Sequence, residues 1–304
     1  MLIFCVLLVL IWSTGFIIGK FIVGLIDPNV YLTIRFTAVA LLFFVLAKAL
    51  KRPFPVRKDL PKHFLAGTLL NAFYLSLAYI ALAQGLPAGI MALIGALQPL
   101  LVTCLALVLI KERTSLLGMI GMLIAISGLL LVISPSLAPE GSASFSPWLA
   151  LLGGAGVLSL ALGSVYQKMS IADSDIVSAM AVQNFAAAVV SGAFALALGE
   201  HLFVVSWQSF ALIAWGVLVL SCGGVFLLIW LLRKIPAARV STLMLLVPPL
   251  AAIEGYLLFN ESLSPLQIAG IIVTLSGVLL SRLTWPLTWP KGQKHSQDKR
   301  LASR

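Results

Sequence analysis

Long apolar runs alternate with short polar connections along most of the chain. A transmembrane helix needs roughly 20 consecutive apolar residues, and each run is about that long. The pattern therefore predicts an all-α membrane protein with ten transmembrane helices. Their boundaries, good to about three residues, are approximately 2–24, 29–49, 63–83, 88–110, 114–134, 147–167, 175–198, 207–232, 236–259 and 263–285.

An internal repeat begins at Leu86 and again at Ile235, with a constant offset of 149 residues and no gap. Matches of Pro, Glu and Gly in register are hard to obtain by chance, because each marks a backbone requirement such as a helix start or a close helix contact. Weaker matches between the first and sixth runs extend the duplication over nearly the whole chain. The clearest pairs are Pro87 and Pro236, Pro99 and Pro248, Glu112 and Glu261, Gly121 and Gly270, and Gly128 and Gly277.

The repeat unit contains five spans, an odd number, so the second copy must enter the membrane from the opposite side. The sequence thus predicts two inverted five-helix repeats around a pseudo-two-fold axis in the membrane plane. Such symmetry allows inward-open and outward-open conformations to exchange around a site near the midplane. The predicted units are residues 1–135 for the first repeat, 136–146 for an outer linker, 147–285 for the second repeat and 286–304 for a basic cytoplasmic tail.

Composition supports a lipid environment. The chain is 61% hydrophobic and only 10% charged, whereas soluble domains contain roughly 25% charged residues. The net charge of +10 does not indicate a nucleic-acid partner, because the basic residues sit in short gaps between apolar runs and form no basic face. The three cysteines lie in apolar runs without metal-ligand spacing, so neither a metal nor a cofactor is expected.

The basic residues follow one side of the predicted topology. If the N-terminus is cytoplasmic, every Lys and Arg outside the spans falls in an inner connection or in the C-terminal tail. By the positive-inside rule both termini are therefore predicted to be cytoplasmic. The outer connections carry acidic residues instead, namely Asp27, Glu140, Glu200 and Glu261.

The repeated motifs resemble those of a known family. They are the paired Pro-Ala steps at Pro87 and Pro236, the mid-helix prolines, and a Glu-x-x-Ser-x-x-x-x-x-Gly pattern that begins at Glu112 and Glu261. Over residues 2–283 the chain resembles the EamA-type transporters of the drug/metabolite transporter superfamily. The resemblance implies a multi-pass carrier of the bacterial inner membrane, often an exporter of amino acids, related metabolites or toxic compounds. Trp12, Ser13, Lys20 and Arg35 also resemble positions common in that family.

Two prolines lie near the middle of their predicted spans. Pro99 and Pro248 each lack a backbone N–H and leave the carbonyl four residues earlier without its helical donor, at Gly95 and Met244. A static packing kink and a bend that gates the cavity both explain such prolines. Broken helices at paired positions are typical of transporter binding sites, so both prolines are hinge candidates.

Glu254 is the one acidic residue well inside a predicted span, roughly 8 Å from the outer end of the ninth helix. A buried carboxylate must be protonated, paired or hydrated. Three explanations remain open: proton coupling, a structural pair with Lys20 or Arg35, and a place at the wet outer rim.

Arg35 lies about 9 Å inside its span. It could attract an anionic group of the substrate such as a carboxylate. The structural alternative, in which it snorkels to the interface or bonds helix-end carbonyls, is favoured, and for Lys20 still more so. Gln183 takes the equivalent place in the second half, which indicates a position for polar anchoring.

Polar and aromatic residues inside several spans predict a substrate cavity. Hydrogen-bonding groups mixed with flat apolar faces are typical of pockets for small organic molecules. Taken singly, each residue is better explained by helix packing or by an interface position. The candidates are Trp12, Ser13, Asn71, Tyr74, Tyr79, Gln98, Tyr166, Gln183, Asn184, Trp230 and Thr242.

A carrier has two rivals among membrane proteins, an intramembrane enzyme and a non-transporting scaffold. The three histidines, His63, His201 and His295, lie in connections, at a span edge or in the tail, and no catalytic motif is visible. A scaffold would not need inverted duplication or paired broken helices. The sequence therefore predicts a carrier that moves small amphipathic metabolites by alternating access. Its expected partners are a small-molecule substrate and the lipid bilayer, and transport is either coupled to protons or facilitative.

Overall fold

The structure, a computed structural model, describes residues 2–22, 24–84, 86, 91, 94–95, 97–111, 115–133, 146–247, 249–250 and 264–283. This part of the chain is nearly all helical, with one isolated bridge between Ile26 and Phe203 and no strand. In chain order the helices are α1 (Leu2–Ile22), α2 (Pro28–Ala49), α3 (Leu60–Ala83), α4 (Gln98–Leu109), α5 (Leu116–Ile133), α6 (Pro147–Ser170), α7 (Ile176–Leu198), α8 (Trp207–Lys234), α9 (Ala237–Met244) and α10 (Pro265–Leu283).

Five of these helices, α2, α3, α6, α7 and α8, are long and apolar enough to cross a membrane. Each agrees with its predicted span to within about three residues. Large apolar side chains cover their outward surfaces, as at Leu196 and Trp207, which are 86% and 85% exposed. Exposure of this kind is unfavourable in water and natural in lipid, so the helices confirm a membrane protein.

Local sequence signals explain where several helices begin and end. Asp175 and Ser206 have extended backbones and accept hydrogen bonds from the backbone N–H groups of residues 178 and 209, at 3.0 and 3.1 Å. Pro28 and Pro147 stand in first turns, where a missing N–H costs nothing. Gly199 ends α7 with a left-handed backbone, φ 67°.

Helices α2 and α7 pack side by side and run antiparallel. At one end, Glu200 accepts hydrogen bonds from the backbone and side-chain N–H groups of Asn29, at 2.6 and 2.7 Å. At the other end, Arg52 and Asp175 form an ion pair of 3.9 Å. The start of α2 therefore meets the end of α7, and the end of α2 meets the start of α7.

Helices α5 and α10 also pack closely and antiparallel. A methyl group at Gly128 would lie 2.7 Å from the carbonyl oxygen of Gly270, and one at Gly277 would lie 2.6 Å from that of Gly121. Gly128 matches Gly277 in the sequence repeat, and Gly121 matches Gly270, so the two contacts are equivalent. Small residues thus let the two backbones touch, as is common between helices in membranes.

The remaining helix contacts also recur when each helix is replaced by its equivalent in the other half. Helix α3 packs on α6 and α7, and correspondingly α8 packs on α1 and α2. Helix α4 packs on α6, and correspondingly α9 packs on α1, while α4 and α9 contact one another. Most major contacts made by a helix of the first half are thus repeated by the helix five places later.

Two helices contain a π-helical stretch at matching positions. In α3 it spans Thr68–Phe73 and in α8 it spans Gly216–Val225. The starts are 148 residues apart, the offset that relates the first and sixth helices in the sequence. π-Helical turns are rare and frequently accompany functional sites, so both stretches bear on the site described below.

The two ends of the bundle differ in charge. Basic side chains lie where α2 ends and α7 begins, and there Lys168 donates a 2.7 Å hydrogen bond to the carbonyl of Ile235. At the same end Lys62 donates a 2.7 Å hydrogen bond to Asp59, which lowers the pKa of that carboxyl. The opposite end carries the acids Asp27 and Glu200. The predicted tail, and the predicted linker apart from Ser146, lie outside the described residues.

Candidate functional site

The fourth and ninth spans, which contain α4 and α9, are interrupted at equivalent points. In the fourth span a turn precedes α4, and the N–H of Leu97 bonds the carbonyl of Ile94 at 3.1 Å. In the ninth span a turn follows α9, and the N–H of Leu246 bonds the carbonyl of Leu243 at 3.1 Å. Pro99 is buried in the first turn of α4, and Pro248 lies outside the described residues. Both spans are therefore broken just before the position of the proline.

Arg35 lies inside the bundle on α2 and is only 5% exposed. Its Nε donates a 2.8 Å hydrogen bond to the hydroxyl of Ser221, in the π-helical stretch of α8. Gly216, at the start of that stretch, faces both Arg35 and Tyr31, and a methyl group there would lie 3.2 Å from Cδ of Arg35. Because Gly216 has no side chain, α8 approaches α2 closely enough for this contact.

Aromatic side chains lie near the Arg35 guanidinium. Its Cζ lies 5.6 Å from the ring centre of Phe36, and the hydroxyl of the buried Tyr31 faces Gly216 together with Cδ of Arg35. The Tyr31 hydroxyl donates a long hydrogen bond of 3.4 Å to the carbonyl of Leu212. Tyr79 of α3 packs against the apolar cluster that contains Tyr31 and Phe36. The cation therefore lies between α2 and α8, next to an apolar cluster to which α3 contributes a ring.

A second polar cluster occupies the equivalent place in the other half. Gln183 of α7 donates a 3.0 Å hydrogen bond to the side chain of Gln167 on α6. It also approaches Nδ1 of His63 on α3 at 3.5 Å, and Nε2 of the same ring lies 3.2 Å from the Ser174 hydroxyl. Gly67 lets α3 approach, since a methyl group there would lie 2.6 Å from Cα of Gln183. Arg35 and Gln183, which occupy equivalent positions in the two halves, thus each contact side chains of other helices.

Two asparagines are buried with part of the amide unsatisfied. Nδ2 of Asn71, in the π-helical stretch of α3, has no hydrogen-bond partner in the described chain, and neither has Oδ1 of Asn184 on α7. Nδ2 of Asn184 donates to the carbonyl of Met180 at 2.9 Å. An unsatisfied buried amide group costs about 1–3 kcal/mol. Water or a ligand could satisfy these groups.

The aromatic candidates lie between the apolar clusters of the bundle. Trp12 is half-buried and contacts two of these clusters, close to the backbone of Gly224. Trp230 packs on the ring of Phe4, with ring centres 5.0 Å apart. Tyr74 is half-buried against a third cluster. These rings are placed to offer flat faces between helices, though the structure does not gather them at one point.

The other candidates take different places. Ser13 is buried and donates a 2.8 Å hydrogen bond to the carbonyl of Leu10, which satisfies it within α1. Thr242 is buried in α9, and Gln98 and Tyr166 are half-buried. The Lys20 side chain and Glu254 lie outside the described residues.

Sequence reasoning missed several members of the two clusters. Tyr31 and Ser221 are polar residues inside predicted spans, so the criterion used for the other candidates would have included them. Gln167 and His63 stand at predicted span edges, where polar residues are ordinary. Nothing in the sequence pairs Arg35 with a serine 186 residues away.

Among the described residues, no group of three or more His, Cys, Asp or Glu side chains could hold a metal ion. The interior of the described part instead offers the buried Arg35 cation, hydroxyls, amides and aromatic rings. A membrane-embedded helical bundle with such an interior defines a class of proteins that handle small organic molecules within the bilayer.

The family within that class is established by sequence comparison. The model of the EamA-like transporter family matches this chain twice, at residues 1–134 and 147–283. The chain therefore belongs to the EamA-like transporter family, within the drug/metabolite transporter type. The two matches coincide with the two copies seen in the sequence.

Named relatives cover nearly the whole chain. The uncharacterized inner membrane transporter YedA of Escherichia coli K12 is 28% identical over 279 residues, covering 91% of this chain and 88% of that protein. A probable amino-acid metabolite efflux pump of the same strain is 25% identical over 301 residues, covering 95% and 96%. A crystal structure with 18% identity superposes with a TM-score of 0.74, covering 92% of this chain and 96% of the other, and so shows the fold.

Together, the family, its relatives and the apolar helices make this chain a multi-pass transporter protein of the bacterial inner membrane. Its surroundings are the lipid bilayer, and its partner is a small-molecule substrate. Both the family and the names of the relatives point to transport rather than to enzymatic activity.

Proposed function

We propose that this protein is a carrier that exports a small organic metabolite, such as an amino acid or a related compound, by alternating access. The single observation that carries the proposal is the symmetry of helix contacts, in which equivalent helices of the two halves pack antiparallel. Two oppositely oriented copies can exchange conformations, so that one arrangement opens inward and the other outward.

Antiparallel packing of equivalent helices supports two inverted repeats. Helix α2 is tied to α7 at both ends in opposite directions. The small-residue contact between α5 and α10 likewise pairs matched residues crosswise. Copies with the same orientation would place equivalent helices parallel, so these contacts favour a pseudo-two-fold axis in the membrane plane.

The broken spans supply the moving parts of the proposed carrier. The turns at Leu97 and Leu246 are equivalent, and each precedes a proline position. Missing or weakened helical hydrogen bonds make such points easier to bend than a regular helix. In this proposal Pro99 and Pro248 are hinges that bend as the cavity changes sides.

Charge sets the orientation of the proposed carrier. The basic end of the bundle, with residues such as Arg52, Lys168 and Lys234, faces the cytoplasm by the positive-inside rule. The acidic end, with Asp27 and Glu200, then faces outward. Both termini are cytoplasmic in this orientation, as the sequence predicts.

The substrate class and direction rest on the interior and on one relative. Buried amides and aromatic rings, such as those of Asn71, Asn184 and Trp12, suit a small amphipathic compound. A relative that spans nearly the whole chain is named a probable amino-acid metabolite efflux pump. Export of an amino acid or related metabolite follows as the proposed direction and cargo.

Counterflow in proteoliposomes tests the proposal. Liposomes containing the purified chain are preloaded with one unlabelled amino acid or derivative, diluted, and offered a trace of the same labelled compound. A carrier takes up label faster when preloaded, because alternating access exchanges cargo across the bilayer. Empty liposomes provide the control.

Recovered label is then analysed chemically. Unchanged compound is expected from a carrier, whereas conversion to a product would show an intramembrane enzyme. Absence of preload-dependent uptake across a panel of amino acids, their derivatives and amphipathic toxic compounds would contradict the carrier and leave a non-transporting scaffold.

A further inference from the structure

Arg35 carries a buried positive charge whose partners among the described residues are uncharged. In the part of the chain that the structure describes, no carboxylate lies within 4.0 Å of this guanidinium, and the ion pairs there join Arg52 to Asp175 and Lys62 to Asp59. Only 5% of Arg35 is exposed. An isolated buried charge is costly, and such charges normally have an anionic or strongly hydrogen-bonding partner.

The hydrogen-bonding capacity of Arg35 is also only partly used. A guanidinium carries five N–H donors in a planar fork. One donor serves the Ser221 hydroxyl at 2.8 Å, and the oxygen of Tyr31, which faces Gly216 together with Cδ of Arg35, can accept another. Roughly three donors therefore remain for an acceptor that the described chain does not supply.

Ser221 and Tyr31 hold the fork in place without neutralising it. Both are neutral hydroxyls, and both are buried, at 0% exposure each. Gly216 allows α2 and α8 to pack closely at this point, since any larger residue would displace Tyr31. The positive group is thus fixed between helices of the two halves.

The two structural explanations weighed for Arg35 do not describe this geometry. A side chain that snorkels would extend toward water, whereas this one is buried. The hydrogen bond of Arg35 goes to a side-chain hydroxyl within a π-helical stretch and not to a helix-end carbonyl. Its position matches a ligand-binding role better than an anchoring role.

We propose that Arg35, positioned by Ser221 and Tyr31, binds the carboxylate group of the transported metabolite. A planar fork matches a carboxylate with two parallel hydrogen bonds. One positive charge flanked by neutral hydroxyls suits a singly charged carboxylate better than a doubly charged phosphate ester. The rings of Tyr31, Phe36 and Tyr79 belong to the apolar cluster next to Arg35. This proposal deepens the proposed function, since it names the substrate class.

Matched pairs of acids and amides test the proposal on the purified full chain in detergent. The probes are phenylacetate, 3-phenylpropionate, hexanoate and L-phenylalanine, each compared with its primary amide, and phenyl phosphate. The unfolding temperature is measured as each probe is titrated, and the dissociation constant follows from the shift. At least one acid is expected to bind about tenfold or more tightly than its amide, and more tightly than phenyl phosphate.

Substitutions then assign the preference to Arg35. In Arg35→Gln the acid is expected to lose about tenfold or more in affinity, while its amide binds as in the wild type. Arg57→Gln is the matched control, because it removes one positive charge from an exposed connection. It should leave the preference for acids unchanged.

Arg35→Lys is a second, independent variant that keeps the charge and removes the planar fork. It should bind the acid several-fold more weakly than the wild type and still prefer it to the amide. If Arg35→Gln does not fold, equal acid binding by the lysine variant and the wild type overturns the proposal.

Three further results would also overturn it: equal binding of every acid and its amide by the wild type, tighter binding of phenyl phosphate, or an acid preference that survives in Arg35→Gln. The proposed function fails separately, since acid binding that depends on Arg35 without any counterflow would leave the site intact and remove the carrier.

Discussion

Individual buried side chains set the charge and polarity of the bundle interior. Arg35 and Gln183 match in the duplicated sequence, and each is buried against side chains of other helices. Of these two residues only Arg35 carries charge, so equivalent positions of the two halves differ in their chemistry. In the proposed carrier this difference would orient a ligand that has one carboxylate.

Glu254 gives a prediction about coupling. If this residue carries the coupled proton, Glu254→Gln should abolish flux driven by a pH gradient, because the amide cannot exchange protons. Substrate binding, measured by the shift in unfolding temperature, should be largely retained. Flux is measured in proteoliposomes with a different pH on each side of the membrane. Unchanged pH dependence in the variant would exclude Glu254 as the coupling group.

Paired helices depend on small residues where their backbones touch. In α5 and α10 the contacts at Gly128 and Gly277 face carbonyl oxygens of the opposite helix. Turns next to α4 and α9 interrupt the fourth and ninth spans at equivalent points. Close backbone packing and helix interruptions thus occur in separate pairs of helices.

Gly277→Leu should destabilise the protein by about 1–3 kcal/mol or more, because the new side chain would meet the backbone of Ala125 and Gly121. The unfolding temperature in detergent measures the effect. Gly154→Ala is the matched control, since nothing lies within 4 Å of a methyl group at this position in α6. It should be neutral or stabilise by up to about 1 kcal/mol. A similar loss in both variants would argue against close packing of α5 on α10.

Replacement of the prolines tests the hinges. Pro99→Ala and Pro248→Ala should each slow counterflow more than they weaken substrate binding, because a restored helical hydrogen bond stiffens the bend. Exchange rates and dissociation constants are measured on the same preparations. Pro147→Ala in the first turn of α6 is the matched control and should leave the exchange rate unchanged. Wild-type exchange rates in both hinge variants would reject gating.

The whole molecule is organised by the relation between its two halves. The family model matches each half separately, and the contacts of one half are largely repeated in the other. Most basic side chains of the described residues lie at one end of the bundle, whereas Asp27 and Glu200 lie at the other. In the proposed carrier, orientation in the membrane and exchange between two conformations are properties of the complete bundle.

Labelling from each side of the membrane tests this arrangement. In a cysteine-free background, Lys111→Cys and Lys234→Cys should react only with reagent that reaches the cytoplasm, because the positive-inside rule places both connections there. His201→Cys, at the acidic end, should react from outside. Reaction of the two lysine positions from different sides would contradict the inverted repeats and the carrier inferred from them.

Sequence periodicity and composition were sufficient for the helices that face lipid. Backbone groups in a bilayer must bond within their own segment, so a long apolar run has one common solution, and α2, α3, α6, α7 and α8 appear where predicted. The paired prolines Pro99 and Pro248 also marked spans that the structure shows interrupted just before these positions, whereas the α5–α10 contact became visible only in the structure.

The candidate site could be predicted only in part. Arg35, Gln183 and the asparagines were recognisable, because polar residues in apolar runs are conspicuous. Their partners were not, since Ser221 is 186 residues from Arg35 and His63 is 120 residues from Gln183.

The sequence by itself determined the membrane class, the positions of α2, α3, α6, α7 and α8, and the internal repeat, because each follows from local polarity or from residues repeated in register. Only the tertiary structure decided that Arg35 is held by Ser221, that Gln183 meets Gln167, and that both contacts form beside π-helical stretches. The physical reason is that such contacts depend on how distant helices approach one another, and glycines at the crossing points set that approach.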